Sequence, residues 1–275
     1  MAEPFKKKKK YGQNFLNNPA VPERIVTESG VDESCGVLEI GPGLGALTLK
    51  LAPKVKKVVA VEIDHELIGP LTEKFAPFDN IELIEQDIMK TDLHSLIETH
   101  FPGMPVCVCA NLPYYITTPI LMKLLESKCG FKSITVMVQK EVANRLISGP
   151  DDTEYGAITA SVNYYASVKK LFLVTAGNFS PPPKVDSAVI RLDLYEKPQV
   201  EVSDEAMFFE TIKAAFLQRR KTLCNSITAY FPFLSKADAA SVCEDCGLSP
   251  DIRGEALSVR EFAALSNEIV KKKTK

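Results

Sequence analysis

A chain of 275 residues that is 45% hydrophobic and 25% charged is long and apolar enough to bury one or two ordinary cores, which excludes a disordered or low-complexity polymer. No apolar run approaches the ~18 residues of a membrane helix, and the start MAEPFKKKKKYGQNF has lysines with no apolar stretch behind them, so neither a membrane protein nor a secreted one is expected. The formal net charge of −2 does not announce a nucleic-acid partner, and the seven cysteines read as reduced thiols of a cytoplasmic protein.

In chain order, the first feature is the unbroken basic run Lys6, Lys7, Lys8, Lys9 and Lys10, either a solvated tail or an arm that seeks phosphate. From about Val37 to Leu194, short β-branched runs alternate with helical patterns: GVLEIG, KKVVAVEID, NIELIEQD, PVCVCANLP, FKSITVMVQ, KKLFLVTAG and SAVIRLDLY. Strands alternating with helices imply βαβ units and a parallel sheet. The early runs are apolar on both pleat faces, as in a sheet covered by helices on both sides. The last two, joined by a segment containing Pro181, Pro182 and Pro183, are expected as an antiparallel hairpin at the sheet edge.

Beyond Lys197 and Pro198 the pattern turns helical. A first helix is expected from about Asp204, capped by Ser203, with Phe208, Ile212, Phe216, Leu223 and Ile227 as its apolar stripe. A second runs from Ser235 to Cys246, and a third starts at Ser258, where Glu261 completes a capping box. The expected organisation is therefore an α/β domain over residues 1–198 and a small all-helical domain over residues 199–275. Two further basic clusters lie here, Arg219, Arg220 and Lys221, and Lys271, Lys272, Lys273 and Lys275. On one continuous helix Arg219 falls inside the apolar stripe, where an unpaired guanidinium is costly. The helix is expected either to break near Gln218, turning Arg219 outward, or to face its stripe into the cleft between the domains, where Arg219 pairs with a carboxylate or meets RNA phosphate.

The strand ends carry the chemistry. Gly41, Gly43 and Gly45 follow the first strand directly, and bare backbone there lets a ligand approach closely. The second strand ends in Glu62, whose carboxylate can accept both hydroxyls of a ribose, and the third ends in Gln86 and Asp87, where an acid can accept from an adenine amino group. Each taken alone is equally a tight turn or a solvated strand-end acid. Together, on one sheet edge, they point to a nucleoside ligand at the place where strand order reverses. At this point the sequence resembles the Rossmann-like methyltransferases that use S-adenosylmethionine and release S-adenosylhomocysteine.

The fourth strand runs into Asn111-Leu112-Pro113-Tyr114, which resembles the N-L-P-Y loop of the enzymes that methylate exocyclic amino groups. An adenine amino nitrogen is a poor nucleophile because its lone pair is conjugated with the ring. The Asn111 oxygen and a nearby backbone carbonyl can accept its two N–H bonds and turn the lone pair toward the methyl group. Pro113 stiffens the backbone that holds that carbonyl, and Tyr114 offers a face for the base. Because Cys107 and Cys109 lie inside the strand, neither reads as the nucleophile that a cytosine-carbon methyltransferase needs.

Four further stretches, YGQNFL from Tyr11, FSPPPKVDSAVI from Phe179, FLQRRKTLCNSI from Phe216 and DIRGEALS from Asp251, are similar to motifs of the ribosomal RNA adenine dimethyltransferases, and the last two to those of the small-subunit group. The resemblance covers nearly the whole chain. It implies dimethylation of two adjacent adenosines in a hairpin loop near the 3′ end of small-subunit (16S) ribosomal RNA, within the assembling subunit, by a cytoplasmic monomer. It assigns cofactor contacts to Asn14, Leu16, Gly41, Gly43, Glu62, Ile63, Gln86, Asp87 and Asn111. It also sets Phe179 against the target base opposite Tyr114, and assigns RNA contacts to Lys6 through Lys10, Arg219, Arg220 and Lys221. Cys224 stands where that family commonly has an arginine. No metal is expected: Cys243 and Cys246 form a lone C-x-x-C, while His65, His94 and His100 lie in the other domain and read as solvated. A nucleic-acid-binding protein without transferase activity and a small-molecule methyltransferase share this fold. The intact N-L-P-Y loop opposes the first, and the basic clusters with an appended helical domain oppose the second.

Overall fold

The computed structural model describes residues 14–249 and 251–273, and it divides into two compact units. The first comprises the chain up to Ala143 together with Val168–Leu194. Its elements begin with β1 (Phe15–Leu16), α1 (Ala20–Ser29), β2 (Gly36–Ile40), α2 (Thr48–Leu51), β3 (Lys57–Glu62), α3 (His65–Phe75) and β4 (Ile81–Glu85). They continue through α4 (Leu93–His100), β5 (Val106–Asn111), α5 (Thr117–Glu126) and β6 (Ser133–Gln139). The helix α6 (Lys140–Ile147) leads into the second unit, α7 (Ala157–Tyr165) lies within it, and β7 (Ala166–Val174) returns to the first, followed by β8 (Phe179–Ser180) and β9 (Ser187–Leu194).

Seven strands form one sheet in the order β4-β3-β2-β5-β6-β9-β7. The pairs β2–β3, β3–β4, β2–β5 and β5–β6 are parallel, and β9 runs antiparallel to β6. The runs expected to pair at the edge are neighbours, with β9 inserted between β6 and the edge strand β7. Val37, Leu38, Val58, Val59, Val108, Ile134 and Val136 have essentially no exposed surface, as alternation-free strands require when helices cover both faces. The chain leaves β2 toward β3 and β4, then reverses to β5 and β6, so a crevice opens at the carboxyl ends of β2 and β5.

The second unit comprises residues 144–167 and 195 onward, a different division from a single cut at residue 198. The segment ahead of β7 belongs to the helical core because Tyr155, Ala160 and Tyr164 are buried in one cluster with Phe208, Ile212, Leu223 and Ile227. The remaining elements are α8 (Glu205–Leu217), α9 (Leu223–Tyr230), α10 (Lys236–Asp245) and α11 (Val259–Lys273). Asp204, not Ser203, caps α8 by accepting the Met207 N–H at 3.0 Å. The single long helix expected from Asp204 is two helices: α8 stops at Gln218, and Thr222 caps α9 by accepting the Asn225 N–H.

At the last helix, the Ser258 N–H and hydroxyl both donate to the Glu261 carboxylate at 2.7 Å, and the Glu261 N–H donates back to Ser258 Oγ at 3.3 Å. This reciprocal box satisfies backbone donors that the first turn leaves over. Ser258→Ala is expected to lower the stability of the helical unit by about 1 kcal/mol. Denaturant titration followed by circular dichroism checks this, and an unchanged midpoint would contradict it.

Candidate active site

The glycine turn after β2 is shaped by backbone conformation. Gly41 and Gly45 have φ of +67° and +78°, in the left-handed region that L side chains rarely adopt. A Cβ at Gly45 would also lie 2.8 Å from the Phe75 ring. At the end of β3, Glu62 is 4% exposed and its carboxylate accepts three backbone N–H groups. Ile63 and Asp64 donate to Oε1 at 2.9 and 2.8 Å, and Gly43 donates to Oε2 at 3.3 Å. One side chain thus fastens the glycine turn to the tip of the neighbouring strand. Burial pushes the Glu62 pKa up, and these three amides pull against it.

Beyond β4, the Asp87 side chain accepts the Met89 N–H at 2.9 Å, while its carbonyl accepts from Lys90 and Thr91. Gln86 donates its backbone N–H to the Glu62 carbonyl at 2.9 Å, so the ends of β3 and β4 are tied in register. At the end of β5, the Asn111 side-chain amide donates to the Asn14 carbonyl at 3.2 Å, which sets the orientation of the Asn111 carboxamide. Leu112 is buried and its N–H meets the Met137 carbonyl at 3.3 Å. Pro113, with φ −60° and ψ 130°, is extended and starts the turn Tyr114–Ile116. Its carbonyl accepts the Ile116 N–H and the Thr117 hydroxyl.

These residues line one cleft of about 1060 Å³, its open mouth included. All nine positions assigned to cofactor contact border it, namely Asn14, Leu16, Gly41, Gly43, Glu62, Ile63, Gln86, Asp87 and Asn111, and so do Leu112, Pro113 and Tyr114. Phe179 is the correction. It is 2% exposed, sits in the core cluster with Ile25, Val174 and Val189, pairs with Leu16 through β8, and does not line the cleft. The burial of its ring in the core leaves no face for a base.

Sequence reasoning missed Glu39. It lies inside β2, lines the cleft, is 1% exposed, and its Oε2 has no hydrogen-bond partner among the described residues. Burial pushes its pKa up to about 8, with the Glu62 carboxylate adding to the rise and Thr48 opposing it. The signal was present as a lone acid in the otherwise apolar GVLEIG.

The basic clusters divide. Lys6 through Lys10 lie outside the described residues. Arg219, Arg220 and Lys221 are exposed in the turn between α8 and α9. Arg219 donates to the Glu255 carboxylate at 3.0 and 3.2 Å and to the Thr153 and Tyr155 carbonyls at 3.2 and 3.4 Å. The first expected escape is realised, because the helix breaks and Arg219 turns outward; its carboxylate partner lies within the helical unit, whose own core buries the apolar stripe. Cys224 lies 3.2 Å from Cys243, sulfur to sulfur, and all seven cysteines are free thiols. No group of three metal-ligating side chains occurs among the described residues. Not every histidine is solvated: the His100 side chain is 22% exposed and sits 2.8 Å from Glu82.

A family model described as ribosomal RNA adenine dimethylase matches residues 4–270. The chain belongs to the ribosomal RNA adenine dimethylase family. Among curated members, the ribosomal RNA small subunit methyltransferase A of Alkaliphilus oremlandii is 45% identical over 268 residues, covering 98% of this chain and 93% of that one. The same-named protein of Shouchella clausii is 47% identical over 270 residues, covering 96% and 90%. A dimethyladenosine transferase from Plasmodium falciparum superposes with a TM-score of 0.76 at 28% identity, over 94% of this chain and 98% of that one. The 23S rRNA methyltransferase ErmE shares the fold, with a TM-score of 0.71 at 24% identity over 94% and 100%. No helix among the described residues is long and apolar enough to cross a membrane.

The Glu39 carboxyl makes stability pH-dependent with a definite sign. Its folded pKa of about 8 lies above the ordinary 4.5, so between those values the folded chain holds a proton that the unfolded chain has lost. Stability contributed by this group therefore falls as pH rises through that window. Glu39→Gln is expected to gain melting temperature over the parent at pH 8.5 relative to pH 5.5. A difference independent of pH would contradict the assignment.

Proposed function

We propose that this family member transfers methyl groups from S-adenosylmethionine to the exocyclic amino nitrogens of two adjacent adenosines in a hairpin loop near the 3′ end of small-subunit ribosomal RNA. The observation that carries the reading is that Asn111, Leu112, Pro113 and Tyr114 open into the same cleft as Gly41, Glu62 and Asp87. The 45–47% identity to proteins named for the small subunit favours that RNA over the large one. The substrate is the assembling small subunit, the working unit a monomer and the compartment the cytoplasm.

The residues of the cleft fit a nucleoside that carries a cationic amino-acid tail. Glu62 and Asp87 supply acceptors, and Ile63, Ile88 and Leu112 supply apolar walls. Glu39 offers a buried carboxyl oxygen without a hydrogen-bond partner among the described residues, suited to a cationic group. Glu62 would hold the ribose, Asp87 the adenine amino group, and the glycine turn the methionine portion. When bound, S-adenosylmethionine supplies an electrophilic methyl group on a cationic sulfur.

The protein's part is positioning. Asn111 Oδ1 and the Leu112 carbonyl accept the two amino N–H bonds, which pyramidalises the nitrogen and aims its lone pair at the methyl carbon. Tyr114 walls the target base. After each transfer the nitrogen sheds one proton to solvent, so no strong base is required. Alignment of this kind supplies roughly 7–11 kcal/mol of a barrier.

Asn111→Ala is expected to cut turnover about 10²–10³-fold at saturating cofactor, the effect of losing one transition-state partner. Its affinity for S-adenosylhomocysteine should change little. Glu62→Gln is expected to do the reverse, weakening that affinity in calorimetry while much of the turnover returns at saturation. Retention of more than about a tenth of turnover by the first variant, or parental affinity in the second, would overturn the assigned roles.

A further inference from the structure

Ser187, in the stretch FSPPPKVDSAVI, has no part in the chemistry described so far, yet its surroundings are closely determined. Ser187 opens β9, is fully buried, and lies opposite Gln139 in the β6–β9 ladder. The residue before it is pinned twice: the Asp186 side chain accepts the Ala176 N–H at 3.0 Å, and its carbonyl accepts the Lys140 N–H at 2.9 Å. On the other side of β6, Asn111 lies opposite Met137 at the end of β5. The strands β5 and β9 thus flank β6 at about 9–10 Å from one another.

Tyr114 bridges that gap. Its hydroxyl shares a hydrogen bond with Ser187 Oγ at 2.5 Å, so the side chain reaches from the loop after β5 across the end of β6 to the first residue of β9. A ring anchored only at Cβ turns about two bonds. Anchored also at its hydroxyl, which lies on the Cβ–Cγ axis, the ring keeps that axis in one direction. We propose that Ser187 is the positioning residue that fixes the direction of the Tyr114 ring axis in the wall of the target-base site, so that base orientation depends on a hydrogen bond spanning three strand ends. This rests on the reading of Tyr114 as the base-facing ring.

The competing account is that the bond merely satisfies a buried hydroxyl, and two readouts separate them. In protein carrying ¹³C-labelled tyrosine, with the Tyr114 signal identified by its loss in Tyr114→Phe, the Ser187→Ala variant is expected to shift that signal. An unmoved signal would overturn the tether, whether or not the chain methylates RNA. In methyl transfer at saturating cofactor, each single variant is expected to lose about 3- to 10-fold in kcat, the equivalent of one ordinary hydrogen bond. Affinity for S-adenosylhomocysteine should stay at the parental value. The double variant should be no slower than the slower single one, because each change already breaks the shared bond. Losses that multiply, or a Ser187→Ala enzyme with parental kcat, would overturn the proposal. Tyr114→Phe keeps the ring and the buried serine, so it carries the test should Ser187→Ala fold poorly. Parental protein that transfers no methyl to RNA would count against the proposed function and leave the tether to be decided by the ring signal.

Discussion

The reversal of strand order beside β2 is the constraint from which the rest of the active unit follows. Parallel strands all end on the same side, and where the chain departs in opposite directions no crossover covers the gap between β2 and β5. Four of the residues that line the cleft lie at or just past these carboxyl ends. The glycine turn leaves β2, Glu62 closes β3, Asp87 follows β4, and Asn111 closes β5. The sheet brings them together without any of them being near another in sequence.

Loops at strand ends are ordinarily the softest parts of a fold, and here side chains stiffen them. Glu62 accepts three amides from two loops, Asn111 reaches the Asn14 carbonyl, and Tyr114 reaches Ser187. The result is a cleft whose walls are held before any ligand arrives, which suits a reaction that depends on alignment more than on proton transfer. The stiffening has an electrostatic consequence. Glu39 and Glu62 are both buried, and the Glu62 carboxylate adds to the rise in Glu39's proton affinity, so the cleft is least comfortable at alkaline pH. A cationic ligand of the kind proposed relieves that repulsion, which couples cofactor binding to the stability of the sheet edge.

Much of this was legible in the sequence because strand ends announce themselves. A β-branched run that stops in glycine, an acid or an amide is a local signal, and Gly41, Glu62, Asp87 and Asn111 carry it. What was not legible depends on contacts distant in sequence. The membership of α7 in the helical unit rests on Tyr155 and Tyr164 meeting Phe208 and Phe216. The break after α8 was foreseeable from the misfit of Arg219 in an apolar stripe, but its partner Glu255 lies 36 residues onward and no periodicity names it. Phe179 illustrates the opposite failure: the motif was present, but the pairing of β8 with β1 turns the ring into the core. Glu39 was passed over because GVLEIG reads as a run apolar on both faces, and only the fold shows its one acid buried at the cleft.

The central claim, that this cleft presents adenosine amino groups to a methyl donor, is tested most directly by nucleoside mass spectrometry. Small-subunit particles that lack the modification, free small-subunit RNA and large subunits would each be incubated with the protein and S-adenosylmethionine, then digested completely. The account predicts N6,N6-dimethyladenosine from the small-subunit particles, in two adjacent residues near the 3′ end. Methyl groups found only on carbon or ribose, or only in the large subunit, would contradict it.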